Sequence, residues 1–286
     1  MTKKNQIFAG IEGGHNEFEN AKVLLQSIPY DGTSTWGKGA DEGFGAFLDA
    51  AQNMEIYDIE TNSEVYQEGV HIIDPILEDA SPEAVFEAVY QNTQQHLDTD
   101  KFLTFFGGEH SISIGIIKAF YERHPDITIL QLDAHTDLRP HYHGSPYNHA
   151  CAVYDASQNA NLIQVGIRSM DSSELEYLDR DKCYFAEDMY GHTDWMEDSL
   201  SKITDKVYIT LDLDVFDPSI MPATGTPEPG GMQWNPMIQY LRKVFEQKNV
   251  LGFDIVELAP IEGLTAPQFL AAKLYYKMLS YKFASS

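Results

Sequence analysis

The segment Leu132-Asp133-Ala134-His135-Thr136-Asp137 sets three potential metal-binding side chains two residues apart. At the end of a strand, alternation puts Asp133, His135 and Asp137 on one side. Carboxylate oxygen combined with imidazole nitrogen suits a divalent cation of the manganese, iron or zinc group. A second pair, Asp212 and Asp214, follows the same alternation in an apolar run that includes Val207, Tyr208, Ile209, Leu211, Leu213 and Val215. Such flanks imply burial, and side-by-side buried carboxylates are strongly unfavourable unless a cation neutralises them. Asp133, Asp137, Asp212 and Asp214 carry four negative charges, which two divalent ions balance and one does not. A calcium loop requires Gly at position six and Glu at position twelve. Counting from Asp133 gives Leu138 and Gly144, and from Asp212 gives Asp217 and Ala223, so that reading fails.

Two further segments bear on the same chemistry. His110 lies in Gly107-Gly108-Glu109-His110-Ser111, directly after an apolar run, where a histidine can be a ligand or a hydrogen-bonded loop residue. Glu257 ends the apolar run that precedes Leu258-Ala259-Pro260. A carboxylate there can serve as a structural ion-pair partner or grip a cationic substrate through a two-pronged hydrogen bond.

The elements that hold these residues follow from short apolar runs alternating with longer amphipathic stretches. Strands are expected at residues 6–11, 54–57, 101–106, 127–132, 161–167, 206–213 and 250–256. Helices are expected at 82–97, 111–123, 172–178, 194–202, 236–247 and 266–281, with Ser81 as N-cap and Pro82 in the first turn of the first. Near-continuous apolar strands separated by helices imply a mostly parallel central sheet covered on both faces, a three-layer α/β/α arrangement. Ligand sites in such sheets gather at the carboxyl ends of the strands. Residues 222–231, rich in Gly and Pro, read as a loop over that end. With no repeat and no linker, one domain over residues 1–286 is expected.

Asp and Glu number 44 against 19 Lys and Arg, a formal charge of −25, which disfavours nucleic acid and anionic lipid as partners and favours cations. The two cysteines, Cys151 and Cys183, make no CxxC, so neither a disulfide framework nor a thiolate zinc site is indicated. Residues 7–11 are too short an apolar stretch for a secretory signal, and no run approaches the roughly 18 apolar residues of a membrane span. A soluble cytoplasmic protein is the expectation.

In order along the chain, GGEHS, LDAHTD, the HAC segment at 149–151, DLDVFDP with the following GTPEPGG, and DIVELAP resemble the ureohydrolase family of arginases, agmatinases and related amidinohydrolases. The similarity runs from Pro29-Tyr30-Asp31-Gly32-Thr33 to the last helix. It implies the arginase/deacetylase-like fold and two manganese ions held by His110, Asp133, His135, Asp137, Asp212 and Asp214, with Asp133 and Asp214 between or near both. It further implies metal-activated water as the nucleophile, Glu257 as the guanidinium-binding carboxylate, His149 as the proton shuttle to the departing amine, and Asp137 as a relay. The substrate is then a small cationic guanidine, with agmatine cleaved to putrescine and urea favoured over arginase, guanidinobutyrase or formimidoylglutamase activity. A catalytically silent metal-binding or regulatory homologue is the alternative from another class, and the family pattern implies a homo-oligomer, a trimer or hexamer. Three departures stand out: Ala150 and Cys151 after His149, Phe44 after Gly43, and a loop at 138–148 without the Ser-Gly-Asn pattern that reads an α-amino acid. Arg139 in that loop is either structural or favours an acid-bearing guanidine such as guanidinobutyrate, and His141 with His143 resembles a metal-binding pair but reads first as solvated loop residues.

Overall fold

Strands rich in Val, Ile, Leu and Phe with no polar face must be covered on both sides, and the computed structural model, which describes residues 7–11 and 13–284, bears this out. Eight parallel strands form one sheet: β1 (Val23–Ile28), β2 (Val70–Ile73), β3 (Phe102–Gly107), β4 (Thr128–Leu132), β5 (Asn161–Ile167), β6 (Cys183–Phe185), β7 (Lys206–Asp212) and β8 (Asn249–Val256). Their spatial order is β2-β1-β3-β8-β7-β4-β5-β6. The helices are α1 (Gly43–Ala51), α2 (Pro82–His96), α3 (Ile112–Arg123), α4 (Tyr154–Asn159), α5 (Ala186–Met189), α6 (Asp194–Lys202), α7 (Trp234–Gln247) and α8 (Ala266–Ala284). Ser81 caps α2 as expected, its hydroxyl accepting the Ala84 N–H at 3.1 Å.

Alternate residues of each strand feed opposite core layers. Leu25, Phe106 and Ile209 pack with Phe47, Leu241 and Tyr275 from α1, α7 and α8. Leu24, Phe105 and Tyr208 pack with Val89, Ile116 and Phe120 from α2 and α3. The Phe47 and Phe106 rings stack at 4.2 Å on the first side, and Phe120 meets Tyr208 at 4.4 Å on the second. Full burial of such side chains contributes about 1.5–3 kcal/mol each, which makes these two layers the main stabilising force. The arrangement is the expected three-layer α/β/α architecture.

One feature of the second face is not apolar. Gln164, Gln131, Thr210 and Asp254 are register partners on β5, β4, β7 and β8. They form a transverse row of buried polar side chains beneath the carboxyl ends of the strands.

Two expected strands are not strands. Within 6–11, Gln6 lies outside the described residues, while Phe8–Gly10 forms a 3-10 turn with Ala9 at φ 55°. Residues 54–57 are irregular and lead into an isolated bridge between Asp58 and Ser63. Phe8 and Met54 are buried because they plug the α1/α8 layer, so their apolar character reports anchoring to the core and not a ladder. The sheet instead gains β1, β2 and β6, and residues 172–178 form only a 3-10 turn, Ser172–Glu176, closed by an Asp171/Glu174 capping box. Among the described residues no helix is long and apolar enough to cross a membrane.

Candidate metal centre and active-site cleft

The four central strands deliver the site. Asp212 is the last residue of β7, Asp133 follows β4, His110 lies in the turn between β3 and α3, and Glu257 follows β8. Strand alternation does not bring the remaining ligands in, because β4 ends at Leu132 and β7 at Asp212. Turns do. Asp212 accepts the Asp214 N–H at 2.8 Å and starts a 3-10 turn, and Asp214 in turn accepts the Ala134 N–H at 3.0 Å. Asp137 adopts a left-handed backbone, φ 49°, which is costly for a non-glycine residue and returns its carboxylate to the cluster.

Around His110 Nδ1 stand Asp133 Oδ2 at 3.0 Å, Asp137 Oδ2 at 3.1 Å and Asp212 Oδ2 at 3.4 Å. Around His135 Nδ1 stand Asp214 Oδ2 at 2.9 Å and Asp133 Oδ1 at 3.7 Å. Among the described residues two groups are able to hold a metal ion, His110 with Asp133 and Asp212, and Asp133 with His135 and Asp214; Asp137, expected as a ligand, is in neither, and Asp214, expected near both ions, is only in the second. Asp133 is common to both.

The proton positions support a cation here. Thr210 donates its hydroxyl to Asp254 Oδ1 at 2.7 Å, so its oxygen accepts from His110 Nε2 at 3.0 Å. With the proton on Nε2, Nδ1 presents a lone pair to three carboxylates, and this buried atom makes no hydrogen bond of good geometry. Acceptors facing acceptors at such distances call for a positive charge between them. The local electrostatics point the same way. Burial opposes charging His110, yet Asp133 and Asp137 pull its pKa well above the imidazole range. Burial and the Asp133 charge push Asp137 up to about 7, and burial with Asp214 raises Asp212 strongly. A metal-free centre therefore keeps protons where the ligand set would hold metal.

Residues beneath the ligands orient them. Asp254 accepts from Thr210, from Ser113 at 3.1 Å and from the Tyr208 hydroxyl at 2.7 Å. Gln131 Nε2 donates to Asp133 Oδ2 at 2.7 Å and is itself held by Gln164 at 2.6 Å. Asp254→Asn would turn one acceptor of three hydroxyls into a donor and tilt Thr210 away from His110. Metal affinity is expected to fall about 10- to 100-fold, read by titrating a metal-stripped sample, and an unchanged affinity would remove this role.

Above the centre lies a cleft of 260 Å³ lined by Glu257, His149, Tyr142, Asp171 and Thr226, among others. Glu257 has φ 67°, and its Oε1 accepts the His110 N–H at 2.9 Å. A Cβ on Gly225 would come within 3.3 Å of Glu257 Oε2, so glycine there leaves that oxygen accessible. Residues 222–231 form the expected loop over the site, fastened by Arg168, which donates to the carbonyls of Asp214 at 2.6 Å and Glu228 at 2.8 Å. His149 lines the cleft, and burial together with His135 and His110 lowers its pKa to about 4. Arg139 is committed elsewhere: it approaches Asp171 at 3.7 Å and Glu174 at 3.9 Å and lies 4.3 Å over the Tyr142 ring. His141 and His143 are exposed and belong to neither metal-binding group. Cys151 is buried with its thiol pushed up to about 12, so it stays protonated and outside the ligand set.

All eight residues singled out in sequence thus meet at one end of the sheet. Thr33, Gln131, Thr210 and Asp254 were missed as partners, although Thr210 shares the alternation of Asp212 and so carried a readable signal.

A parallel sheet that gathers carboxylates and imidazoles at the carboxyl ends of its central strands, beneath an open cleft, is the arrangement of an amidinohydrolase of the arginase/agmatinase type. The sequence matches the Arginase family over residues 21–280, and the chain belongs to that family. It is 32% identical over 276 residues to the N(1)-aminopropylagmatine ureohydrolase of Synechocystis sp., covering 92% of this chain and 90% of that protein. The agmatinase of Bacillus subtilis is 29% identical over 251 residues, covering 86% of each. Among solved structures, the agmatine ureohydrolase of Thermoplasma volcanium superposes with a TM-score of 0.86 at 29% identity, covering 98% of this chain and 94% of that one. The chain is an agmatinase-like hydrolase acting on C–N bonds of linear amidines.

Proposed function

We propose that the enzyme hydrolyses the guanidino group of agmatine to urea and putrescine with two manganese ions in the centre. The observation that carries this reading is the ring of Asp133, Asp137 and Asp212 around the His110 lone pair, directly below Glu257. His110, Asp133, His135, Asp137, Asp212 and Asp214 would hold the two ions. When bound, they supply positive charge that lowers the pKa of water and yields a nucleophile near neutral pH. Glu257 binds the guanidinium through charge-assisted hydrogen bonds and sets its central carbon over the centre. Asp137 passes on the proton released as water attacks, and His149 delivers a proton to the departing amine nitrogen, which leaves neutral urea behind.

Arg139 favours a substrate without a carboxylate. Its guanidinium is already stacked on Tyr142 and faces Asp171 and Glu174, so it is not free to meet a carboxylate on the substrate. A second reading, N(1)-aminopropylagmatine as substrate, is favoured by the name of the Synechocystis relative. The deciding measurement is urea release by manganese-loaded protein offered agmatine, N(1)-aminopropylagmatine, arginine, guanidinobutyrate and guanidinopropionate in parallel. Agmatine is expected to give the highest kcat/KM. Preference for the aminopropyl compound moves the substrate and keeps the mechanism, and no urea from any guanidine, with two metals counted, overturns the proposal.

A further inference from the structure

The first family-like segment, residues 29–33, is so far without a task. It is seamed against GGEHS: the Gly108 N–H donates to the Ile28 carbonyl at 2.8 Å and the Glu109 N–H to the Tyr30 carbonyl at 2.9 Å. A Cβ at 108 would lie 1.8 Å from the Tyr30 carbonyl oxygen, so only glycine permits this seam. The result is that Thr33 stands between Glu109 and His149.

Thr33 has one hydroxyl proton and two lone pairs to place. Its Oγ1 lies 2.9 Å from Glu109 Oε1, 3.0 Å from the His149 backbone nitrogen and 3.1 Å from His149 Nδ1. The backbone N–H can only donate, and it uses one lone pair. Glu109 is fully buried and also receives the Thr33 N–H at 3.2 Å, the Ser111 N–H at 2.8 Å and the Ser111 hydroxyl at 2.8 Å. Three other donors converging on this carboxylate mark it as an acceptor, so it takes the Thr33 proton as well. The remaining Thr33 lone pair then faces His149 Nδ1, which must carry the hydrogen. Among the described residues no partner takes Nε2, the other ring nitrogen of a side chain that lines the cleft. Asn148 fixes the backbone beneath the ring by accepting the Ala150 N–H at 3.2 Å.

We infer that Thr33 and Glu109 are positioning residues that hold His149 as the Nδ1–H tautomer and reserve Nε2 for proton transfer in the cleft. The inference rests on the proposed hydrolysis, in which His149 serves the leaving amine. The orienting chain runs from carboxylate through hydroxyl to imidazole. Nε2 accepts a proton released during water attack and gives it to the amine nitrogen, so the ring returns to its starting tautomer after each turnover and Thr33 never changes its own proton.

The test has two arms. In zinc-substituted, ¹⁵N-histidine-labelled protein at pH 8, where an imidazole is neutral, long-range ¹H–¹⁵N correlations report the His149 tautomer, assigned by its loss in His149→Asn. Wild type and Thr33→Ser are expected to show protonated Nδ1, and Thr33→Val is expected to lose that preference. In steady-state kinetics Thr33→Val should lower kcat on the order of 10- to 100-fold, as for a misplaced general acid, with KM and metal content unchanged, while Thr33→Ser stays within about 3-fold. Wild-type His149 protonated at Nε2 overturns the inference, as does a Thr33→Val protein with native tautomer and native kcat. If Thr33→Val does not fold, the wild-type tautomer still decides. If no guanidine is hydrolysed, the proposed function fails while the tautomer reading stands or falls by itself.

Discussion

Asp133→Asn is expected to reduce urea release by about 10³-fold or more, because metal-supplied charge stabilisation is worth several kcal/mol and each 1.36 kcal/mol is a factor of ten. The magnitude follows from Asp133 belonging to both metal-binding groups, so that one substitution weakens both. The amide also cannot replace the carboxylate as an acceptor. Gln131 Nε2 donates to one Asp133 oxygen at 2.7 Å and the His135 N–H to the other at 2.6 Å. An Asn NH₂ must face one of these donors, which turns the side chain out of place as well as removing its charge. Metal counting after gel filtration separates this from a general folding defect: the variant should elute like wild type and retain fewer than two ions per chain. Two retained ions with a wild-type rate would show that the centre lies elsewhere.

Stripping the metal is expected to make stability fall as pH rises from about 5 to 8, and manganese should abolish that fall. The sign follows group by group. Burial and neighbouring carboxylates raise Asp137 to about 7 and lift Asp212 and Glu257 well above the carboxylate range. Between its unfolded pKa near 4 and its raised folded value, each binds more protons folded than unfolded, so stability declines as pH increases. His110, raised despite burial by Asp133 and Asp137, stabilises fully below about 6.5 and loses that contribution as pH rises through its folded value. His149, lowered to about 4 mainly by burial, opposes the fall up to about pH 6.5 but is outnumbered by the raised groups. Asp133 also runs the other way. Burial would raise it, but the His110 and His135 imidazoles hold it well below its ordinary value, and its contribution is lost only as pH falls below about 4. Bound manganese replaces the protons with charge that does not titrate. At a hundred times its Kd it should add about 2.7 kcal/mol, or roughly 5–10 °C in Tm, and the gain should widen with pH. A metal-free melting temperature independent of pH in this window would contradict the charge arrangement.

Much of this was legible in sequence because it rests on chemistry with few substitutes. Four aspartates on apolar runs allow little but metal, and β5, α6 and the cores of β3, β4, β7 and β8 follow from composition alone. Register and turns were not legible. Asp137 reaches the centre only through a left-handed backbone, and Asp214 only through a 3-10 turn, whereas alternation predicted flat strands. The 6–11 and 54–57 runs misled because a short apolar segment signals burial without saying whether it pairs. Helix α1 escaped notice because Gly43 and Gly45 lower its helical propensity, and packing of Phe44, Phe47 and Leu48 overrides them. Thr33 acquires meaning only when the chain brings it to Glu109, 76 residues away.

The transverse polar row has a bearing on assembly of the sheet. In native alignment Gln164 meets Gln131, Gln131 meets Thr210, and Thr210 meets Asp254. Sliding β7 by one residue would set Ile209 or Leu211 against Gln131 and turn Thr210 into the α7/α8 layer, parting its buried hydroxyl from Asp254. Misaligned intermediates are thus penalised by hydrogen bonding before any cation arrives. The row therefore favours the native strand alignment through contacts that do not involve the metal ligands' charge.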